Sequence, residues 1–174
     1  MKDYIFYQDS WSIEDKLKNL KFDWKGKSVL DLGCNIGTLG KYVTSRGAIK
    51  YTGIDQRERE IEEAKKRNPE FKFFTGDIFD YTYYNSDVLV ALSLFHHLKS
   101  EENIIKVLSD FTSKELIIEV PVQESKNEAD LKRYFLLPEN RHRELIEFYY
   151  GPIKEELVSG WRNRKIFVCE ARYP

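Results

Sequence analysis

The sequence predicts a single α/β domain with helices on both faces of a parallel sheet, and three observations support this. The chain has 174 residues, enough for one such domain with a real core and too few for two of ordinary size. Short apolar runs alternate with charged stretches that contain spaced apolar residues. No sequence repeat or long flexible linker divides the chain. Because strands that alternate with helices pair in parallel, we expect a doubly wound sheet.

Five apolar runs predict the buried strands of this sheet. Each run is short and rich in aliphatic, β-branched or aromatic residues, as buried strands are. The runs cover residues 28–33, 50–55, 71–77, 87–94 and 115–121.

The stretches between these strands predict three helices, over residues 38–46, 57–68 and 101–112. They contain helix formers and apolar residues at helical spacing. Asn68 followed by Pro69 ends the second helix, since a proline disfavours helical geometry in the residue before it. Each helix therefore connects two strands of the sheet.

The two ends of the chain depart from this alternation. Ser12 has the features of a helix N-cap, with Asp15 in the third helical position, so a short helix precedes the first strand. Late in the chain, a further helix starts near Pro138 and ends at Gly151. The last segment alternates around a turn at 159–164, which predicts an antiparallel pair of strands at the sheet edge.

Composition and charge exclude several classes of partner. The net charge of -1 draws the whole molecule neither to nucleic acid nor to a membrane surface. No apolar run is long enough to cross a bilayer, and the N-terminus lacks the pattern of a signal peptide. Cys34 and Cys169 have no metal-ligand spacing and fit a reducing compartment. We therefore expect a cytoplasmic protein without a membrane partner.

A glycine-containing loop, within VLDLGCNIGTLG at residues 29–40, follows the first strand and opens the next helix. Gly33 and Gly37 permit left-handed backbone and let a ligand approach without a Cβ in the way. Asn35 stands where nucleotide-binding loops usually have another glycine, and Asn tolerates the left-handed region, so we expect a positive φ there. The helix that begins near Thr38 offers free N–H groups, which predicts an anionic or polar ligand at this loop.

Three aspartates stand at the ends of the first three predicted strands. Asp31 precedes the loop, where its carboxylate suits a positively charged group and would repel a pyrophosphate. Asp55 ends the second strand, the position from which an acid chelates the two hydroxyls of a ribose. Asp77 with Ile78 suits an adenine, since the carboxylate can bond the amino group while the apolar side chain covers the ring. The three acids predict a ligand with an ammonium group, a ribose and an adenine.

These residues resemble the motifs of the class I S-adenosylmethionine-dependent methyltransferases, from about Val29 to the C-terminus. The resemblance rests on LDLGCNIG for the loop, GID for the ribose acid, GDI for the adenine motif and DVLVALSLFHHL for the fourth strand. It implies a three-layer, Rossmann-like fold with a seven-stranded, mostly parallel sheet and an antiparallel C-terminal strand. It also implies S-adenosyl-L-methionine as the cofactor. The cofactor-binding residues that it indicates are Asp31, Gly33, Cys34, Asn35, Gly37, Thr38, Asp55, Gln56, Asp77, Ile78, Ser93 and Leu94.

The end of the fourth strand, SLFHHL, should carry the chemistry of the methyl acceptor. Methyl transfer from a sulfonium is an in-line displacement, so the enzyme positions the acceptor and removes its proton where needed. His97 resembles a histidine found here in family members that act on small molecules, and it is the candidate base, with a packing role as the alternative. Glu119 at the end of the fifth strand is a second catalytic candidate, or else a solvated strand end. No third ligand joins His97 and Glu101, so no metal site is expected.

Two segments outside the core are long enough to select a substrate. Residues 1–24 form a predicted N-terminal helix and lid, and residues 122–138 form a substrate-side insertion. Basic residues in and after the insertion either bind a phosphate or carboxylate or form an ordinary charged surface. The residues that we expect near the substrate are Tyr7, His96, Arg133, Tyr134 and Arg141.

The whole chain, residues 1–174, is therefore predicted to be one methyltransferase domain that acts on a small-molecule or saccharide-like acceptor, with oxygen as the favoured atom. An Asn/Asp-Pro-Pro-aromatic motif, which the family uses for amino groups of nucleobases, is absent, so no DNA substrate is expected. An RNA methyltransferase is one alternative, because of the basic residues and the GCNxG loop. A non-catalytic partner subunit that binds the cofactor is another, and an α/β domain with an unused loop is a third. A nicotinamide oxidoreductase is disfavoured because Asn35 breaks the GxGxxG pattern.

Overall fold

A seven-stranded sheet with strand order β3-β2-β1-β4-β5-β7-β6 forms the centre of the molecule. The structure, a computed structural model, describes residues 12–121, 134–160 and 164–172. Strands β1 to β5 are parallel to their neighbours, whereas β7 runs antiparallel to both β5 and β6. This confirms the predicted sheet with its antiparallel C-terminal strand. The strands are β1 (Ser28–Leu32), β2 (Lys50–Asp55), β3 (Lys72–Thr75), β4 (Ser86–Ala91), β5 (Ser113–Val120), β6 (Ile153–Val158) and β7 (Lys165–Glu170).

The order of the strands reverses at β1, which pairs with β2 on one side and with β4 on the other. Chain connections leave a crevice at such a reversal, outside the carboxyl ends of the strands, and ligands of open α/β sheets bind in it. The glycine loop follows β1 at this edge. The fold therefore positions the loop and the ends of β2 and β4 around one crevice.

Five α-helices lie in the described part of the chain, and the pleat of the sheet decides which strand residue meets which helix. Successive residues of a strand point to opposite faces, so Val29 packs in one core cluster and Leu30 in the other. Helices α2 and α3 share the cluster of Val29, and α4 and α5 share that of Leu30. The helices are α1 (Ile13–Lys16), α2 (Thr38–Thr44), α3 (Glu58–Arg67), α4 (Glu101–Asp110) and α5 (Glu139–Tyr149).

The connection from β3 to β4 contains a 3₁₀ helix, Ile78–Tyr81, in place of an α-helix. The predicted strand over 71–77 is shorter in the structure and ends at Thr75, because Asp77 already caps the 3₁₀ helix. Rings of Phe74, Tyr81 and Tyr84 pack on one another and on the core at this point. Aromatic side chains therefore cover a part of the sheet for which an α/β unit normally uses a helix.

The N-terminal helix α1 lies against the turn of the β6–β7 hairpin. Ser12 caps it as predicted, its Oγ accepting the Asp15 N–H at 3.0 Å. The Gly160 N–H donates to the Lys16 carbonyl at 3.3 Å, and a Cβ on Gly160 would lie 2.1 Å from the Asp15 carbonyl oxygen. The described part of the predicted lid, 12–24, thus packs on the hairpin, while residues 1–11 lie outside the described residues. Among the helices that the structure describes, none combines the length and the apolar character that crossing a bilayer requires.

Candidate active site

The glycine loop after β1 makes a turn in which every second residue is left-handed. Gly33, Asn35 and Gly37 have φ angles of 74°, 51° and 72°. The predicted positive φ at Asn35 is therefore confirmed. The N–H groups of Gly33 and Cys34 both donate to the Ile54 carbonyl, at 2.8 and 3.0 Å, which ties the loop to the end of β2.

Close packing explains why glycine occupies two positions, one in the loop and one beside it. A Cβ on Gly37 would lie 2.6 Å from the Phe73 ring, and one on Gly53 would lie 2.6 Å from the Cys34 sulfur. Cys34 thus fills the space above Gly53 and is 6% exposed. Burial raises the pKa of the Cys34 thiol well above its usual value, so the side chain is a packing group and a poor nucleophile.

The side chain of Asn35 is buried and only partly hydrogen-bonded. Its Oδ1 accepts the Ile36 N–H at 2.8 Å, whereas Nδ2 has no partner among the described residues. The residue is 2% exposed, so water does not compensate readily for the missing partner. A buried amide donor without an acceptor costs about 1–3 kcal/mol. The loop therefore presents an N–H group that suits an acceptor atom on a ligand.

Asp55 braces the loop from the end of β2. One carboxylate oxygen accepts the Asn35 N–H at 2.9 Å and the other accepts the Arg57 N–H at 3.0 Å. The residue is 5% exposed. Because a carboxylate offers about four lone-pair sites, these two bonds leave acceptor capacity on Asp55. The predicted contact with ribose hydroxyls stays a prediction.

Asp31 is buried beneath the loop and accepts a hydrogen bond from the Tyr51 hydroxyl at 2.6 Å. Burial raises its pKa to about 7, and the negative charge of Asp55 adds to this rise. The hydrogen bond from Tyr51 and the positive charge of Lys16 oppose the rise only in part. A carboxyl group in this state gains more from a nearby cation than an ordinary surface aspartate does. The environment of Asp31 thus suits the positively charged ligand group predicted from the sequence.

The residues that we expect near the adenine, and two further candidates for cofactor binding, differ in their exposure to solvent. Asp77 is exposed, and its Oδ1 accepts the Phe79 N–H at 3.1 Å as the cap of the 3₁₀ helix. Ile78 is 7% exposed and packs in the core. Gln56 and Thr38 are exposed at the ends of β2 and of the loop. Their roles in cofactor binding remain predictions.

The residues after β4 close the crevice on its other side. A Cβ on Gly33 would lie 3.2 Å from Leu94 Cδ1, so Leu94 packs directly on the glycine loop. Ser93 has a φ of 59°, which is unusual for a residue with a side chain. Its hydroxyl donates to the carboxylate of Glu119 at the end of β5. The ends of β1, β4 and β5 are thereby joined.

Two cations surround Glu119, and reasoning from the sequence missed their convergence. Lys16 Nζ and Arg164 Nη1 each lie 3.3 Å from Glu119 Oε2. The side chains of Glu119, Arg164 and Lys16 are 0%, 3% and 14% exposed. Lys16 comes from α1 and Arg164 precedes β7, so only the folded chain brings them together.

The charges around Glu119 set its protonation. Burial alone raises the pKa of Glu119, but Lys16 and Arg164 outweigh it, and the pKa is lowered overall. Burial in turn lowers the pKa of Lys16, which Glu119 partly offsets. A carboxylate that is already paired with two cations is a weak proton acceptor. The surroundings of Glu119 favour a positioning role over the predicted role as a base.

The paired histidines after β4 meet the aromatic ring of Tyr134. The ring centroid of Tyr134 lies 4.9 Å from that of His96 and 5.4 Å from that of His97, edge-on to both. His96 is buried and His97 is exposed. The structure therefore brings together three residues that we predicted on the acceptor side, and His97 is the histidine that solvent and ligands can reach.

The described basic residues of α5 and β7 are paired with carboxylates. Arg141 contacts Glu101 and Glu144, and Arg143 and Lys165 both contact Glu156. These pairs match the positive charge of Arg141, Arg143 and Lys165, three of the basic residues that we considered for phosphate or RNA binding. Tyr7 and Arg133, also predicted near the substrate, lie outside the described residues. Within the described part of the chain, no group of three or more His, Cys, Asp or Glu side chains is arranged to hold a metal ion.

Comparison with known sequences finds a similarity in the core of the chain. Residues 29–113 match the model of a methyltransferase domain. A stretch of 97 residues is 31% identical to the (S)-coclaurine N-methyltransferase of Thalictrum flavum subsp. glaucum, which covers 52% of this chain. The chain spans about a quarter of that relative, namely 27% of its length.

Solved structures agree on the fold. The magnesium protoporphyrin IX methyltransferase of Synechocystis PCC 6803, solved with bound SAM, matches with a TM-score of 0.66 and 20% identity over 86% of this chain and 71% of its own. The PH0226 protein of Pyrococcus horikoshii matches with a TM-score of 0.69 and 17% identity over 95% and 91% of the two chains. The family match, the strand order and the loop between β1 and α2 agree with one another. Residues 29–113 thus match a methyltransferase domain, and the chain has the fold of a solved methyltransferase that binds S-adenosylmethionine.

Proposed function

We propose that the protein transfers a methyl group from S-adenosyl-L-methionine to a small-molecule acceptor, with oxygen as the favoured nucleophile. The cofactor binds at the glycine loop between β1 and α2. The acceptor binds at the carboxyl ends of β4 and β5, beside Ser93 and His97.

The observation that carries this proposal is the buried amide nitrogen of Asn35, which has no hydrogen-bond partner in the described part of the chain. Asn35 belongs to a loop with left-handed residues, which Asp31 precedes and Asp55 braces. Asp31 favours a cation, and Asp55 has remaining acceptor capacity. Buried polar groups in native proteins almost always have a partner, so an unpaired one calls for an explanation. S-adenosylmethionine offers acceptor atoms, an ammonium group and ribose hydroxyls, which complement these three groups.

The side chains of this protein bind the cofactor and the acceptor, orient them and shield them from water. When bound, the cofactor supplies an activated methyl group on its sulfonium. An in-line displacement gains most from alignment of the acceptor atom and exclusion of water. Leu94, packed on the glycine loop, shields the reaction side of the cofactor. His97 contacts the acceptor and accepts its proton where the nucleophile carries one.

A small-molecule acceptor is favoured over RNA. The two methyltransferases compared above are named for small molecules, coclaurine and magnesium protoporphyrin IX. Binding of an RNA backbone requires several unpaired basic side chains along one surface. Arg141 and Arg143 instead contact carboxylates. A saccharide is also a small, polar acceptor, and saccharides are therefore included among the acceptors to be tested.

The substitution Asp55→Ala tests the cofactor site. It removes the expected ribose ligand and also the acceptor of the Asn35 N–H, so the affinity for S-adenosylhomocysteine should fall at least tenfold in isothermal titration calorimetry. Asp55→Asn keeps an oxygen for that N–H and should still bind more weakly than wild type. Asp110→Ala, at the exposed end of α4, is the control and should bind as wild type.

Unchanged affinity in a folded Asp55→Ala protein would overturn this cofactor site. Catalysis needs a separate measurement, because a non-catalytic subunit would also bind the cofactor. The protein should release S-adenosylhomocysteine from S-adenosylmethionine in the presence of some member of a panel of carboxylic acids, phosphate monoesters, phenols, saccharides and amines. A panel in which only a short RNA supports release would favour the RNA alternative.

A further inference from the structure

The carboxylate of Glu119 is hydrogen-bonded through one oxygen only. Oε2 accepts the Ser93 hydroxyl at 2.5 Å and lies 3.3 Å from both Lys16 Nζ and Arg164 Nη1. Oε1 is buried and has no hydrogen-bond partner among the described residues. In that part of the chain, it is the one carboxylate oxygen that combines burial with the lack of a partner. The two oxygens of Glu119 therefore differ, since one ties neighbouring elements together and the other is left to be bonded.

A buried carboxylate oxygen without a donor is unfavourable and calls for an explanation. The side chain of Glu119 is 0% exposed, so bulk solvent does not reach Oε1. Burial opposes the charged form, but Lys16 and Arg164 outweigh burial and the pKa of Glu119 is lowered, so the group is ionised at neutral pH. An ionised carboxylate offers about four lone-pair sites, and buried polar groups in native proteins almost always have a partner. Oε1 thus suits a hydrogen-bond donor from outside the described chain.

Glu119 belongs to the end of the sheet at which the proposed function places the acceptor. Ser93, which donates to Glu119, directly precedes Leu94, and Leu94 packs on the glycine loop. The loop has a buried donor of its own, Asn35 Nδ2, yet this donor and Oε1 do not bond each other. The proposed function assigns the Asn35 donor to the cofactor. Oε1 therefore remains for the acceptor.

Ser93 and Lys16 form the more accessible side of Glu119. Ser93 is half-buried and the Lys16 side chain is 14% exposed, whereas the Arg164 side chain is 3% exposed. Lysine has a flexible four-carbon stem, so the Lys16 side chain can shift while the backbone of α1 stays in place. A small molecule in the crevice therefore approaches Glu119 from this side.

We propose that Glu119 Oε1 accepts a hydrogen bond from a hydroxyl or amino group of the methyl acceptor, and that the substrate is therefore a small molecule with such a donor. This inference rests on the proposed function and adds the chemical class of the substrate. A carboxylate or a phosphate dianion that lacks a donor would bring its own negative oxygen against Oε1 and be repelled. Glu119 binds and orients the acceptor, and a proton that leaves the nucleophile goes to His97.

A crystal structure of the full chain with S-adenosylhomocysteine tests whether Oε1 is available to the acceptor. No donor atom of the protein or of S-adenosylhomocysteine should lie within hydrogen-bond distance of Glu119 Oε1, whereas Oε2 should keep its contacts with Ser93, Lys16 and Arg164. A protein or cofactor donor on Oε1 overturns the inference, because the oxygen would then have its partner without the acceptor. This measurement needs no known substrate.

Methyl-labelled S-adenosylmethionine tests the chemical class of the acceptor at pH 8. Phenol, catechol, aniline and methyl glucoside carry a hydroxyl or amino donor at this pH. Benzoate and phenyl phosphate have the same aromatic ring as phenol, but they are ionised and have no donor. Label should enter one or more compounds of the first group and should not enter the second. Label in benzoate or phenyl phosphate at a comparable rate overturns the inference.

The substitution Glu119→Gln changes the group that meets the donor of the acceptor. Its amide oxygen can keep the place of Oε2, and its NH₂ group then replaces Oε1, so a donor faces a donor. For a compound that wild type methylates, KM should rise at least tenfold while kcat changes by less than about threefold. Glu115→Gln alters the same kind of side chain near the other end of β5, where Glu115 contacts Lys27, and should leave KM and kcat as in wild type.

A purely structural role for Glu119 would give a different result. In a folded Glu119→Gln protein, an unchanged KM overturns the inference, and so does an equal loss of kcat and of affinity for S-adenosylhomocysteine. If this variant does not fold, the crystal structure and the labelling decide the inference. Failure of wild type to bind S-adenosylhomocysteine, or to methylate any compound, contradicts the proposed function instead.

Discussion

At the scale of single residues, Asp31 links the charge of the site to the cofactor. Its carboxyl group is buried with the Tyr51 hydroxyl 2.6 Å away, and its pKa is about 7. A cofactor ammonium group nearby would stabilise the charged form and lower this pKa. Cofactor binding at or below neutral pH must then expel the proton that Asp31 carries in the free protein.

Proton release on cofactor binding is the corresponding prediction. At pH 6, calorimetric titration with S-adenosylhomocysteine in two buffers of different ionisation enthalpy should show release of most of one proton, and at pH 8.5 almost none. The affinity should rise with pH by up to about tenfold per unit below the pKa of Asp31. In Asp31→Asn the proton count should fall to near zero at both pH values. A wild-type count that does not change between them would contradict the proposed place of the ammonium group.

The sequence predicted the conformation of some of these residues and not the contacts of others. The positive φ of Asn35 and the cap at Ser12 were predictable because they depend on neighbours in the chain. The contacts of Lys16 with Ser93 and Glu119 span 77 and 103 residues. Nothing local distinguishes Lys16 from the other lysines of its segment. Its role depends on how α1 docks, which only tertiary packing decides.

At the scale of elements, the docking of α1 on the β6–β7 hairpin controls the geometry around Glu119. An isolated helix as short as α1 is unstable in water, so packing on the hairpin must maintain it. Gly160 permits this approach, because any side chain there would meet the Asp15 carbonyl. The alternation of apolar runs predicted the order of the elements. The contact of α1 with the hairpin and the 3₁₀ connection between β3 and β4 could be seen only in the folded structure.

The substitution Gly160→Ala should displace α1 from the hairpin. The added Cβ would lie 2.1 Å from a backbone oxygen, which cannot yield as a flexible side chain does. We expect a loss of about 1–3 kcal/mol in the free energy of unfolding, as overpacking typically causes. Amide hydrogen exchange at Lys16 and Leu17 should accelerate more than exchange in β1. Asn19→Ala, which removes only an exposed hydrogen bond to the hairpin, is the control and should change stability by less than about 0.5 kcal/mol.

At the scale of the whole molecule, two buried groups couple stability to pH in opposite directions. His142 on α5 is 1% exposed, packs near the Phe95 ring, and has no hydrogen-bond partner for either ring nitrogen among the described residues. Burial lowers its pKa to about 4, which the nearby Glu101 only partly opposes. Asp31 has the opposite shift, to about 7. One group therefore resists protonation in the folded state, and the other favours it.

The sign of each effect on the free energy of unfolding depends on whether the folded or the unfolded state takes up the proton. As pH falls below about 6.5, the unfolded chain protonates His142 and the folded chain does not, so His142 makes the protein less stable. Over the same range the folded state protonates Asp31 and the unfolded chain does not, so Asp31 makes it more stable. Each effect amounts to about 2 kcal/mol between pH 7 and pH 5, since one pKa unit corresponds to about 1.4 kcal/mol. In wild type the two largely cancel.

Single substitutions should separate the two effects in urea unfolding followed by circular dichroism. His142→Phe keeps an aromatic ring against Phe95 and removes the titration, so the free energy of unfolding should rise by about 2 kcal/mol from pH 7 to pH 5. Asp31→Asn keeps an acceptor for the Tyr51 hydroxyl, and its free energy of unfolding should fall by about the same amount. The double variant should again be nearly independent of pH in this range, since the neighbours of the two residues, Phe95 and Tyr51, lie in different core clusters. Parallel curves for both single variants and wild type would show that neither group titrates in the folded protein as its burial demands.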